Sequence, residues 1–216
     1  MSPVVYANTT AKEPFRVLSA DFVTSAVKPI HYPPADLPEA AFAGKSNVGK
    51  SSLINALLNR KHLVRTSNTP GRTQLINFFD VNHLFRFVDL PGYGFARVPA
   101  AVKKTWGPMI EAYLGQRESL RMVVLILDCR RVPDKKDMEL IGWLRHYQRN
   151  ACLVLTKADK LSKNQQQKQL ALAANELGLT PGDFILFSAK THQGRDALWR
   201  RLLSAISISH PDAEGK

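Results

Sequence analysis

Gly44-Lys45-Ser46-Asn47-Val48-Gly49-Lys50-Ser51 stands between a run of small and apolar residues, Glu39–Ala43, and a stretch, Lys50–Leu58, whose Leu53, Ile54, Leu57 and Leu58 share one helical face. The octet matches G-x-x-x-x-G-K-[ST] in a strand–loop–helix setting. Its glycines let successive backbone N–H groups turn inward as an anion-binding nest, and the helix N-terminus adds its positive end. A loop of this kind cradles nucleotide phosphates. In it Lys50 reaches the β- and γ-phosphates and Ser51 sets its hydroxyl on Mg²⁺.

Outward from the cradle the pattern is an alternation of strands and helices. Leu75–Val81 and Leu84–Asp89, separated by Asn82-His83, predict a hairpin. Strands are expected over Met122–Leu127, Cys152–Thr156 and Phe184–Phe187. Between and after them come a helix from the N-cap Asp134, with Ile141, Leu144 and Tyr147 in phase, one ending near Gly178, and one carrying Leu198, Leu202 and Ile206. Helical material reaches Gln116, with Gly107-Pro108 expected to kink it or to start a new helix. The alternation predicts an α/β fold: a mostly parallel sheet with one antiparallel hairpin strand at an edge and helices on both faces. Residues 1–28 read as an N-terminal extension with an accessory strand, 29–208 as the nucleotide-binding domain, and 209–216 as a polar tail. Pro29, Pro33, Pro34 and Pro38 force the join between extension and domain to be extended.

Composition narrows the class. With 44% apolar and 22% charged residues over 216 positions, the chain is globular and of about one domain. No run approaches the ~18 apolar residues of a membrane span, and the N-terminus lacks a signal-peptide pattern, so no membrane insertion and a cytoplasmic location are expected. Cys129 and Cys152 are too few for a disulfide framework and read as buried thiols. The net charge of +12 is concentrated in residues 44–121, where 12 basic groups face 4 acidic ones. Such a balance points to a polyanionic partner, although charge alone names none.

A phosphate cradle does not select a base, and ATP-dependent kinases use the same loop. Three further stretches do. Asp89-Leu90-Pro91-Gly92 ends the second hairpin strand; its carboxylate suits Mg²⁺ held through water, and Gly92 offers a backbone N–H to a γ-phosphate. Thr156-Lys157-Ala158-Asp159 matches a guanine-reading loop, in which the aspartate accepts from N1–H and the 2-amino group and the lysine stem lies along the base. Ser188-Ala189-Lys190 follows the last strand, with backbone to offer guanine O6. Each is weak alone. In this order, each at the C-terminal end of a strand where such sheets bind ligands, they are strong together.

These residues resemble the EngB type of ribosome-biogenesis GTP-binding proteins, among the translation-factor-related small GTPases. The resemblance runs over about residues 20–208 and is most specific in GKSNVGKSS (44–52), TPGRTQ (69–74), DLPGYGFA (89–96) and TKAD (156–159). It implies the P-loop GTPase fold, GTP and GDP as ligands, slow GTP hydrolysis, and action on the large ribosomal subunit precursor and its ribosomal RNA. It also implies a link to cell division through septum formation; a monomer is expected. The resemblance extends the nucleotide-binding set beyond the octet to Ser52, Gly71, Arg72, Thr73, Gln74, Leu75, Leu90, Pro91, Phe187 and Ala189. Thr66, Thr69 and Thr73 compete to be the threonine that sees Mg²⁺ and the γ-phosphate. Thr73 is chosen because it precedes the strand from Leu75 and fits the family's G-[RK]-T-Q segment, with Thr69 second. Lys50, Thr73 and Gly92 are thereby the expected catalytic residues, and Ser51 and Thr73 the expected metal ligands.

Two residues depart from the wider GTPase pattern. Thr156 replaces the common asparagine, at some expected loss of affinity, and Tyr93 stands where many GTPases carry a water-orienting glutamine, so turnover is expected to be slow. Asn47 occupies the place where some relatives hold K⁺, and ordinary loop capping accounts for it equally well; Arg72 and Arg97 are competing sources of positive charge. Trp106, Trp143 and Trp199 read as packing anchors, and Arg130-Arg131 and Lys135-Lys136 as solvated charge or as phosphate-backbone contacts. The rival to a GTP-driven switch is a nucleotide-gated RNA-binding module whose hydrolysis is incidental. A small-molecule kinase is disfavoured by TKAD.

Overall fold

A strand buried on both faces is apolar at every position, and Glu39–Gly44 and Leu120–Asp128 are close to that limit: all six residues of the first are buried, and seven of the nine in the second. They form the centre of a seven-stranded sheet. In the computed structural model, residues 15–64, 75–94 and 100–206 are described, with the backbone alone for 100–105. The strands are β1 (Ala20–Ala26), β2 (Glu39–Gly44), β3 (Ile76–Val81), β4 (Phe85–Asp89), β5 (Leu120–Asp128), β6 (Ala151–Thr156) and β7 (Phe184–Leu186), in the order β1-β3-β4-β2-β5-β6-β7. Among the described residues β3 alone runs against the others.

Among the described residues five α-helices cover the two faces: α1 (Lys50–Leu58), α2 (Ala100–Gln116), α3 (Lys135–His146), α4 (Lys163–Leu177) and α5 (Arg195–Ile206). One core packs Leu53, Ile54 and Leu57 of α1 and Leu198, Trp199 and Leu202 of α5 against Phe42, Phe87 and Val124. The opposite core packs Ile110 and Tyr113 of α2, Leu140 and Leu144 of α3, and Leu170 and Leu177 of α4 against Val88, Val123 and Leu155. Each fully buried large side chain contributes about 1.5–3 kcal/mol relative to exposure. The α/β architecture is the one the alternation predicts, and helix α1, the Asp134 N-cap and the Gly178 terminus fall where expected.

Three features differ from the sequence reading. The hairpin strand β3 is not at the edge, because β1 pairs antiparallel along it and takes that place. The cause is the hairpin turn: Asn82 and His83 both adopt left-handed conformations, and the Leu84 N–H closes on Val81 C=O at 3.0 Å. The turn absorbs Leu84, so β4 starts at Phe85. The Asn82 side chain then accepts from the Leu18 and Ser19 N–H groups (2.7 and 3.0 Å) and donates to Arg16 C=O (2.9 Å), which leads residues 16–19 onto the sheet. The third difference is in α2, where no new helix starts at Pro108 and Ala100–Gln116 is one element. Residues 1–14, 65–74, 95–99 and 207–216 lie outside the described residues, and with them the 209–216 tail.

Candidate nucleotide site

The candidate residues converge at the C-terminal ends of β2, β4, β6 and β7. Between β2 and α1 the backbone turns through Asn47 (φ 61°) and Gly49 (φ 106°), left-handed positions that produce a nest. Gly49 at the N-cap of α1 brings no side chain to its first N–H groups (Lys50, Ser51 and Ser52), which need partners from outside the helix. Ser51 is half-buried, whereas Asn47 and Ser52 are exposed. On the floor the Lys50 ammonium is buried and bonded to the Asp89 carboxylate, as a buried charge must be.

Asp89-Leu90-Pro91-Gly92 lies directly against the cradle. The Leu90 N–H donates to Phe42 C=O (3.0 Å), the Tyr93 N–H to Gly44 C=O (3.3 Å), and the Ser46 N–H to Tyr93 C=O (3.1 Å). A Cβ at Gly92 would stand 2.9 Å from Ser46 Oγ and 3.1 Å from Ser46 N, so the approach of the two loops requires glycine there. Leu90 is buried in the core, and Pro91 C=O accepts from Trp106 Nε1 at 3.0 Å. The Lys45 side chain leaves the cradle for Asp134 and Asp137 (2.7 and 2.6 Å).

Thr156 Oγ1 lies 2.7 Å from Val48 C=O and 3.0 Å from Leu127 C=O, tying the Thr156–Asp159 loop to the cradle. Lys157 Nζ reaches Asn47 C=O (2.7 Å) and Asp128 Oδ2 (2.9 Å). Burial would raise the Asp128 carboxyl, but the bonds from Arg130 and Lys157 outweigh it and hold it well below the usual range. Asp159, half-exposed, accepts from the buried Ser188 hydroxyl (2.7 Å), which is the main cause of its lowered pKa. Ser188 Oγ itself accepts from the Lys190 and Thr191 N–H groups, both at 3.2 Å. Phe187 is a core residue whose C=O receives the Ala158 N–H at 3.1 Å. The other Asp159 oxygen, Oδ2, pairs with Lys160 Nζ at 3.6 Å.

A protein-family profile described as "50S ribosome-binding GTPase" matches residues 39–157. The chain is 56% identical over 199 residues to the probable GTP-binding protein EngB of Geobacter metallireducens, covering 92% of this chain and 98% of that protein. It is 59% identical over 196 residues to the counterpart in Geotalea daltonii (91% and 95% covered). The crystal structure of a probable GTP-binding protein engB superposes with a TM-score of 0.66 at 25% identity, over 79% of this chain and 100% of the other. The chain belongs to the EngB family of GTP-binding proteins. It is a GTPase of the P-loop fold.

The structure brings together the EngB cradle, Asp89–Gly92, Thr156–Asp159 and Phe187–Ala189, while Leu75 is exposed ahead of β3, at the same end of the sheet as Asp89. Gly71, Arg72, Thr73 and Gln74, with Thr66, Thr69 and Arg97, lie outside the described residues. Three contributors escaped the sequence reading. The Ser188 side chain, Asp128 and the buried Gln166, which donates to Ala158 C=O (2.9 Å), all hold the guanine loop. Asp128 carried a usable signal, since it ends the strand beside β6. Burial pushes both the Cys129 and Cys152 thiols up to about 11, as fits core residues.

Proposed function

We propose that this GTPase is a switch in the assembly of the large ribosomal subunit. The description of the matching family as 50S ribosome-binding carries this reading. The +12 charge, which suits ribosomal RNA, supports it. The resemblance of the motifs supports a further role in cell division through septum formation, and in this reading the protein acts in the cytoplasm as a monomer. No helix among the described residues is long and apolar enough to cross a membrane.

In this reading the nucleotide phosphates take the nest and the α1 N-terminus, and Lys50 exchanges Asp89 for the β- and γ-phosphates. Asp159 and the backbone of Ser188 and Ala189 read guanine, with Lys157 along the base. The donor set fits Mg²⁺: a half-buried Ser51 hydroxyl and a buried Asp89 carboxylate are hard oxygen ligands, and this ion completes its shell with phosphates and water. Ser51 and Thr73 would hold it, Asp89 through water, and the ion would neutralise charge developing on the phosphates. Gly92 presents its N–H to the γ-phosphate. Water attacks the γ-phosphorus with Lys50 and the cradle N–H groups stabilising the transferring group.

Intrinsic hydrolysis is slow, because the Tyr93 hydroxyl is spent on Asp137 and that position brings no amide to water. Sedimentation with large ribosomal subunits tests the switch. Binding is expected with a GTP analogue, to weaken with GDP, and to fall steeply between low and physiological salt. Equal binding in both nucleotide states overturns it. Single-turnover hydrolysis with and without subunits separates the switch from an RNA-binding module with incidental hydrolysis, since only a switch needs acceleration by the particle.

A further inference from the structure

The cradle loop and the Asp89–Tyr93 loop both send a side chain to the same carboxylate. Lys45 Nζ lies 2.6 Å from Asp137 Oδ2, and the Tyr93 hydroxyl donates to Asp137 Oδ1 at 2.8 Å. Asp137 is only 2% exposed and belongs to the first turn of α3. Its Oδ2 also accepts from the Asp134 N–H (2.9 Å), half of a capping box that Asp134 completes, and Asp134 is the second partner of Lys45. Tyr93 is buried, and its phenol is held far above its ordinary pKa by burial and by Asp137, so it stays a donor.

The same two residues are joined through the main chain. Lys45 and Tyr93 form an isolated parallel bridge, made by the bonds from Tyr93 N to Gly44 C=O and from Ser46 N to Tyr93 C=O. The C-terminal half of α3 is tied to the same loop: Trp143 stacks on Trp106 (5.9 Å between centroids), and Trp106 donates to Pro91 C=O. A carboxylate in this place answers a structural need. A main-chain bridge of one residue pair is a weak hinge, and Gly92 beside it has no side chain to hold its own orientation.

We propose that Asp137 is a positioning residue for GTP hydrolysis. Acting through Tyr93 and Lys45, it holds the Asp89–Tyr93 loop in register with the cradle and so aims the Gly92 N–H. The inference rests on the reading above, that Gly92 faces the γ-phosphate. Its consequence is selective. Asp137 touches neither the Thr156–Asp159 loop nor Lys50, so GDP affinity is expected to be spared. Discrimination of triphosphate from diphosphate and the rate of the chemical step are not.

The test compares Tyr93→Phe, which removes one hydroxyl and leaves the capping box intact, with Asp137→Asn, which removes the charge facing Lys45 and leaves one acceptor oxygen where Oδ1 served Tyr93 and Oδ2 the capping box. GDP and GTP-analogue dissociation constants and single-turnover rates are measured on the full chain with Mg²⁺. For both variants GDP affinity is expected within twofold of the parent. The affinity ratio for GTP analogue over GDP and the hydrolysis rate should each fall about tenfold, the scale of one hydrogen bond to a charged group. The double variant should fall little further, because both changes break one connection. Equal loss of GDP and GTP-analogue affinity marks a merely structural role and overturns the proposal, as does an unchanged ratio and rate. Gly92→Ala separates the two levels. If it shifts the ratio while Tyr93→Phe and Asp137→Asn do not, only the assignment of Asp137 fails; if none of the three shifts it, the placing of Gly92 fails as well.

Discussion

Among single residues, the proposed reading of guanine rests on Asp159 and on the hydroxyl that steadies it. Asp159 presents an acceptor edge, with one oxygen fixed by Ser188 at 2.7 Å. Asp159→Asn replaces an acceptor by a donor and is expected to favour xanthine over guanine nucleotides, a reversal readable in competition binding. Retention of guanine preference would remove Asp159 from base recognition. Asp128 supports a prediction about acid. Its folded pKa is depressed, because Arg130 and Lys157 outweigh burial. A depressed carboxylate contributes stability that is fully present above its unfolded pKa, about 3.9, and is lost as pH falls through the folded value. The urea midpoint should therefore decline below about pH 4. In Asp128→Asn it should start lower at neutral pH and decline less over that window. Parallel pH profiles for parent and variant would count against the assignment.

Among the elements, α2 carries an internal fault. Pro108 is exposed in the middle of seventeen helical residues, supplies no N–H and crowds the carbonyl of the preceding turn. The helix persists because Ile110, Tyr113 and Leu114 bury its following turns and Trp106 anchors the turn before. Tertiary packing outweighs a local cost of about 3 kcal/mol. Pro108→Ala is expected to stabilise by about 1–2 kcal/mol, less than the full cost because the unfolded chain gains freedom. Thermal melting should rise by several degrees. A lower melting temperature would mean that the surrounding packing is built around a proline-induced bend.

For the whole molecule, the end of the sheet opposite the nucleotide site is closed by a buried polar cluster. Glu39, 0% exposed, accepts from Arg117 Nε at 3.0 Å and from the Tyr113 hydroxyl at 2.9 Å. Arg117 also donates to Pro33 C=O at 2.9 Å, so the cluster joins β2, α2 and the proline-rich connection from β1. Removing one partner of a buried pair leaves the other charge unpaired and costs about 3–5 kcal/mol. Arg117→Met should lower the urea midpoint accordingly while GDP affinity, measured well below the transition, stays within twofold, because β2 reaches the cradle only at its other end. A loss of affinity alongside the loss of stability would show that the two ends of the sheet communicate.

The features legible along the chain are local ones. Gly44–Ser51, Asp89–Gly92 and Thr156–Asp159 are each short, contiguous segments whose backbone and side-chain chemistry is set within one turn. The alternation of strands with amphipathic helices was legible for the same reason, and with it the sheet and both helical faces. Only the tertiary structure decided which distant groups serve these loops. Tyr93 meets Asp137 across 44 positions, Ser188 meets Asp159 across 29, and Arg117 meets Glu39 across 78. A buried polar group must find a partner, and packing chooses which element stands beside it. The edge was decided in the same way. Nothing periodic in residues 16–27 says that they pair with β3; the side chain of Asn82, held in a left-handed turn, captures the approaching backbone and makes β1 the last strand.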